Sequence, residues 1–238
     1  DRLWLQDDLP TDLPSARVFI YEYDSIPVLT STKTRLTHEA SDLLYCLDVD
    51  RFDCPERPII FIAHSLGGIL VKQVVYCFLR LSNQSDTHRR SRGLAFFATP
   101  HGGGNETLVS FGKKCAAVVN FVTMSAPNDL MEAVTSGSLY SDILQEGWRH
   151  QLNNYRIVSF YEGIGNIVPR DSAVLDMPGD IETQVKIEAN HGDICRFDTR
   201  DLSDSQRYKK VRHGLRKLHE AALNNSPDTP LPTLSRGG

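Results

Sequence analysis

A serine between small residues is the place in this 238-residue chain where residue types and spacing first point to chemistry. In Ala63-His64-Ser65-Leu66-Gly67-Gly68, Ser65 follows a continuous apolar run, IIFIA at 59–63. It precedes Ile69, Leu70, Val74, Cys77, Phe78 and Leu81, which recur at helical spacing. A buried strand that turns sharply into a helix presents its hydroxyl at the sheet edge, beside free N–H groups and the positive end of the helix dipole. Such a serine is placed to attack an acyl carbon, with the Leu66 N–H as first donor to the oxyanion. Small residues at 63 and 67 keep the tight turn clear of its neighbours. Ala63 stands where the motif usually has glycine, so its φ must be negative.

Several further segments carry a family resemblance. PIIFIAHSLGGILVK (58–72), GLAFFATPHGGG (93–104), SFYE (159–162), IVPRDSA (167–173) and NHGDICRF (190–197) together resemble the serine-esterase, lipase-like family of α/β-hydrolases. Its members include SERAC-like proteins of mitochondria and ER, and domains that precede NACHT, ankyrin or TPR regions in fungal proteins. The resemblance covers most of residues 4–220. It implies a mostly parallel sheet with helices on both faces, and hydrolysis of a carboxylic or lipid ester through an acyl-serine intermediate, with no cofactor. Transfer of the acyl group to an alcohol is a variant of the same chemistry.

In that fold the order is serine, carboxylate, histidine, and Ser65, Glu162 and His191 follow it. Glu162 closes an apolar run and is placed at the carboxyl edge of the sheet, where it would orient the imidazole. Asp171 and Asp193 are alternatives for the acid. His191, in a polar loop, would take the Ser65 proton and hand it to the leaving group. His64 adjoins Ser65 too closely to serve as its base, and is read as a structural residue or one on the oxyanion or substrate side of the pocket. His101, in TPHGGG, also borders the pocket. The HGGG sequence resembles a lipase oxyanion loop but follows the nucleophile instead of preceding it, so a structural use of its glycines is the simpler reading.

These residues must be positioned by a sheet. Residues 17–23, 59–63, 93–98, 155–161 and 184–188 read as strands by alternation or by short apolar runs. Residues 34–49 and 204–224 read as amphipathic helices, 106–152 as broken helical patches, and 82–92, with its RRSR at 89–92, as a solvated loop. Strands alternating with helices argue for a mostly parallel α/β sheet. Only 17–23 stands upstream of the nucleophile strand, whereas the family pattern has a further strand there, with a HisGly-rich loop that supplies the second oxyanion donor. The hydrolase domain, 1–224, is therefore expected to be N-terminally incomplete, with an open apolar edge on 59–63. Residues 225–238, rich in Pro, Ser and Gly, read as a disordered tail or as a linker toward further domains. The competing expectation is a catalytically weak or inactive hydrolase-fold signalling module of a larger protein.

Composition narrows the classes. A net charge of −4 gives no electrostatic case for nucleic acid. Hydrophobic residues at 40% supply a core, and no apolar run approaches a membrane span, although peripheral membrane contact is compatible with a lipid substrate. The five cysteines are odd in number and form no CxxC pair, which reads as reduced thiols in an intracellular, cytoplasmic setting; the resemblance adds mitochondrion or ER as alternatives. No metal site is suggested, and the glycines at 102–104 lack the spacing of a phosphate loop.

Overall fold

The computed structural model describes residues 2–23, 33–81, 91–101 and 149–224. Their centre is a sheet of four parallel strands: β1 (Ile59–His64), β2 (Ser91–Phe97), β3 (Arg156–Glu162) and β4 (Glu182–Ile187), in spatial order 1-2-3-4. Helices α1 (Trp4–Asp7), α2 (Leu9–Asp12), α3 (Lys33–Asp50), α4 (Gly67–Leu81), α5 (Arg170–Ala173) and α6 (Leu202–Asn224) surround it, with a 3-10 segment at Arg149–Asn154. This is an α/β fold.

The central strands β2 and β3 run apolar without alternation because both of their faces are covered. Leu94, Ala95, Phe96 and Phe97 are all buried. In-register partners share a face, so Ala95 stands beside Val158 and Phe97 beside Phe160. The Phe97 and Phe160 rings stack at 4.4 Å, and Gly214 brings α6 against Val158 and Phe160. Trp4 packs on that same side, edge-on to Tyr208 and Phe197, and donates from Nε1 to the Cys195 carbonyl at 2.8 Å. α4 packs on β1 and is backed by α3.

Residues 17–23 differ from expectation. They form no strand. The segment is held by its side chains instead: Arg17 donates to the Asp50 carbonyl and the Cys54 thiol, and Tyr21 donates to Asp42. Phe19 and Ile20 stay exposed, so their alternation has no apolar layer behind it. β1 is accordingly an edge strand of the described sheet, and Ile62 on it is partly exposed.

Smaller differences have local causes. Ser91 and Arg92 belong to β2 rather than to a loop. α6 starts at Leu202, ahead of the expected 204, because Asp201 caps it: its Oδ1 accepts the Asp204 N–H at 3.0 Å. The remainder of the 82–92 loop, the helical patches through residue 148, the glycines at 102–104, Cys115 and the tail lie outside the described residues. The four described cysteines are free thiols, and none of the described helices is long and apolar enough to cross a membrane.

Candidate active site

β1 delivers the chain to Ser65, whose φ of 55° lies in the left-handed region. That conformation costs a non-glycine residue roughly 1–2 kcal/mol. Two hydrogen bonds hold it: the Ser65 N–H donates to the Phe97 carbonyl at 2.8 Å, and the Gly68 N–H donates to the Ser65 carbonyl at 3.1 Å. The first extends the β1–β2 ladder; the second opens α4. A Cβ on Gly68 would sit 2.2 Å from Thr99 Oγ1, so only glycine lets α4 start this close to the exit of β2. Ala63 is not among the positive-φ residues, and its methyl is accommodated.

Ser65 Oγ lies 2.9 Å from His191 Nε2, and His191 Nδ1 lies 2.9 Å from Glu162 Oε1. A carboxylate only accepts, which assigns the ring proton to Nδ1 and leaves Nε2 to accept from the Ser65 hydroxyl. Glu162 ends β3. Gly165, with φ of 87°, turns the following chain back so that the Ile167 and Val168 N–H groups donate to the carboxylate at 3.1 and 2.9 Å. Val168 leads through Pro169 into α5, where the Ser172 carbonyl accepts the His101 N–H. The segments around 99–101 and 167–173 are thus joined to one another and, through Glu162, to the serine.

Of the other acid candidates, Asp171 is exposed beside Arg170, and Asp193 accepts from Asn190. Neither bonds to a ring nitrogen of His191. Leu66 is buried, and no acceptor among the described residues takes its N–H, which stands beside Ser65 ahead of α4. His64 Nε2 lies 2.9 Å from the carbonyl oxygen of His191, the two rings 4.9 Å apart. Burial, helped by the neighbouring His191, pushes the His64 imidazole down to about 4. The His101 ring goes to the core, edge-on to Phe96 at 4.7 Å, with neither nitrogen hydrogen-bonded to another described residue. Burial, then Lys72, holds it well below the ordinary imidazole range.

Three features escape sequence reasoning. The bond from His64 to the His191 backbone depends on a loop far away in sequence. The backbone donors to Glu162 depend on the Gly165 turn, and that glycine was the available signal. The third is a second buried carboxylate, Glu182 at the start of β4, which accepts from Ser159 Oγ and from the Leu175 and Met177 N–H groups. No cluster of His, Cys, Asp and Glu among the described residues would hold a metal ion. A cavity of about 320 Å³ lies between α1–α2 and α6, lined by residues that include Arg2, Asp8, Asp12 and Arg212. Arg2 pairs with Asp8 and Arg212 with Asp12 in its wall, and it shares no residue with the serine site.

No family model matches the chain, and no solved structure does. Over 220 residues it is 24% identical to protein SERAC1 of Bos taurus and 26% identical to that of Mus musculus, covering 86% of this chain in each case. The chain is thus similar, at low identity, to SERAC1. With SERAC1 of Homo sapiens the identity is 24% over 231 residues, 90% of this chain. The chain spans about a third of the length of these SERAC1 relatives: 32% of the Bos taurus protein and 33% of the Homo sapiens one.

Proposed function

We propose that this protein is a serine hydrolase of the α/β-hydrolase fold that cleaves a carboxylic ester, with lipid esters as the substrate class. The observation that carries the reading is the hydrogen-bonded chain Ser65–His191–Glu162, built on a serine in left-handed conformation between a parallel strand and a helix. That conformation is what a nucleophile elbow requires. Glu162 holds His191 in the tautomer whose Nε2 accepts.

In the reaction, Ser65 Oγ attacks the ester carbonyl as His191 Nε2 takes its proton. The Leu66 N–H faces the oxyanion that develops. Collapse breaks the bond to the alcohol, which leaves with the proton from His191. Water then attacks the acyl-serine with His191 as base, and release of the acid restores the Ser65 hydroxyl. Glu162 stabilises the imidazolium in both halves.

Turnover of p-nitrophenyl esters of graded acyl length tests this. The wild-type chain is expected to hydrolyse some of the series, and Ser65→Ala to lose at least about a thousandfold of that rate while staying folded. A folded wild-type protein inert toward every chain length argues against the reading. One observation favours a second reading, a hydrolase-fold module that binds without turnover: Ser65 is 6% exposed and His191 0%. Under it, Ser65→Ala leaves the protein's biological effect intact.

A further inference from the structure

Nothing in a strand–turn–helix motif requires a hydrogen-bonding ring just before the serine, yet this chain puts one in a specific contact. Parallel register places His64 on the face of the sheet that carries Phe97 and Phe160. Its ring is largely buried there and lies 4.9 Å from that of His191. His64 Nε2 is 2.9 Å from the His191 carbonyl oxygen. A carbonyl oxygen only accepts, so Nε2 carries the proton.

The residues on either side of His191 make hydrogen bonds of their own. The Ala189 carbonyl accepts the Ile164 N–H at 3.1 Å, and Asn190 Oδ1 accepts the Gly192 and Asp193 N–H groups at 2.9 and 3.0 Å. The His64 contact falls between those bonds, on the residue whose ring must meet both Ser65 and Glu162. A general base needs its ring held to within a few tenths of an ångström and some ten to twenty degrees, roughly, and such precision comes from the residues behind it.

We propose that His64 is a positioning residue that clamps the backbone of His191 through an Nε2–H···O=C hydrogen bond and thereby fixes the imidazole in line between Ser65 and Glu162. The clamp rests on the hydrolase reading of the same site. It also ties nucleophile and base together directly: the residue before the serine holds the backbone of the residue that activates it. Burial keeps the His64 ring neutral around pH 7, so the clamp presents a donor without a second charge beside the His191 imidazolium.

The test compares His64→Gln, whose amide N–H reaches the same region as Nε2–H, with His64→Phe, which fills the space without a donor. Each is read by the rate of fluorophosphonate capture at Ser65 and by 15N NMR of the histidine rings. In the wild type the His64 Nε2–H should be protected from exchange. Phe is expected to lower the capture rate by roughly ten- to a hundredfold and to shift the His191 ring nitrogens. Gln should restore the rate to within a few-fold of wild type. If the Phe variant does not fold, His64→Leu is the second donor-free variant. Equal capture rates and unchanged His191 signals in a folded donor-free variant overturn the clamp. A wild-type protein that is folded but never captured, while the His191 signals still respond to the donor-free change, refutes the hydrolase reading and leaves the clamp standing.

Discussion

Two buried carboxylates, on neighbouring strands, solve the same physical problem with different consequences. Glu162 closes β3 at the carboxyl edge of the sheet, and Glu182 opens β4 at the amino edge. Each gathers two backbone N–H groups from a nearby loop, Ile167 and Val168 for the first, Leu175 and Met177 for the second. Each also accepts from side chains. For Glu182 these are the Ser159 hydroxyl and the Gln184 amide, neither of which relays a proton onward. For Glu162 it is the His191 ring, which passes the contact on to Ser65. Burial and hydrogen bonding therefore do not separate a stapling carboxylate from a candidate catalytic one. What separates them is the edge of the sheet they occupy and whether the next group can carry a proton.

The pair defines a set of variants with opposite signatures. Glu162→Gln is expected to cost roughly 10³–10⁴-fold in esterase rate, because the amide no longer selects the tautomer with Nε2 free to accept. Steady-state kinetics on the folded variant checks this, and a loss under tenfold would erase the distinction. Glu182→Ala is expected to lower stability by about 3–5 kcal/mol, since it strands buried donors on both the loop and Ser159. Urea denaturation measures that, while the folded fraction should keep its rate per site within a few-fold. A rate loss matching that of Glu162→Gln would make the two carboxylates equivalent.

Acid sharpens the comparison from the other side. The folded His64 lies at about 4 and the unfolded one near 6.5, so between those values the unfolded chain binds more protons. Stability from this group is complete above 6.5 and falls away toward pH 4, by on the order of 3 kcal/mol in all. His101 is shifted in the same direction. Melting temperatures across this window should fall with pH, and less steeply in His64→Gln; parallel curves would place the acid sensitivity elsewhere. The smallest effect expected is that of Gly165→Ala, roughly 1 kcal/mol from the left-handed φ, together with a lower esterase rate because the Glu162 donors shift. An unchanged rate would mean that the turn does not position the acid.

The sheet and the serine turn were legible in the sequence because they depend on neighbours in the chain. The runs at 59–63 and 93–98 are continuous and apolar, and Gly67-Gly68 mark the close entry to α4. Glu162 is legible in sequence only as one of three carboxylates with Asp171 and Asp193, because which of them meets the His191 ring depends on how distant segments fold together. Residues 17–23 misled because alternation records side-chain chemistry, not the presence of a pairing strand. Glu182 and the His64 clamp were invisible for a related reason: each is made by contacts between segments that no local pattern connects.

The proposed mechanism makes Ser65 a nucleophile activated through His191. Intact-mass and peptide analysis after fluorophosphonate treatment addresses it most directly. One adduct per chain, located on Ser65, absent in Ser65→Ala and forming at least about a thousandfold more slowly in His191→Ala, is the predicted result. A folded wild-type protein that takes no adduct at Ser65, or takes it equally fast without the His191 imidazole, would contradict the account.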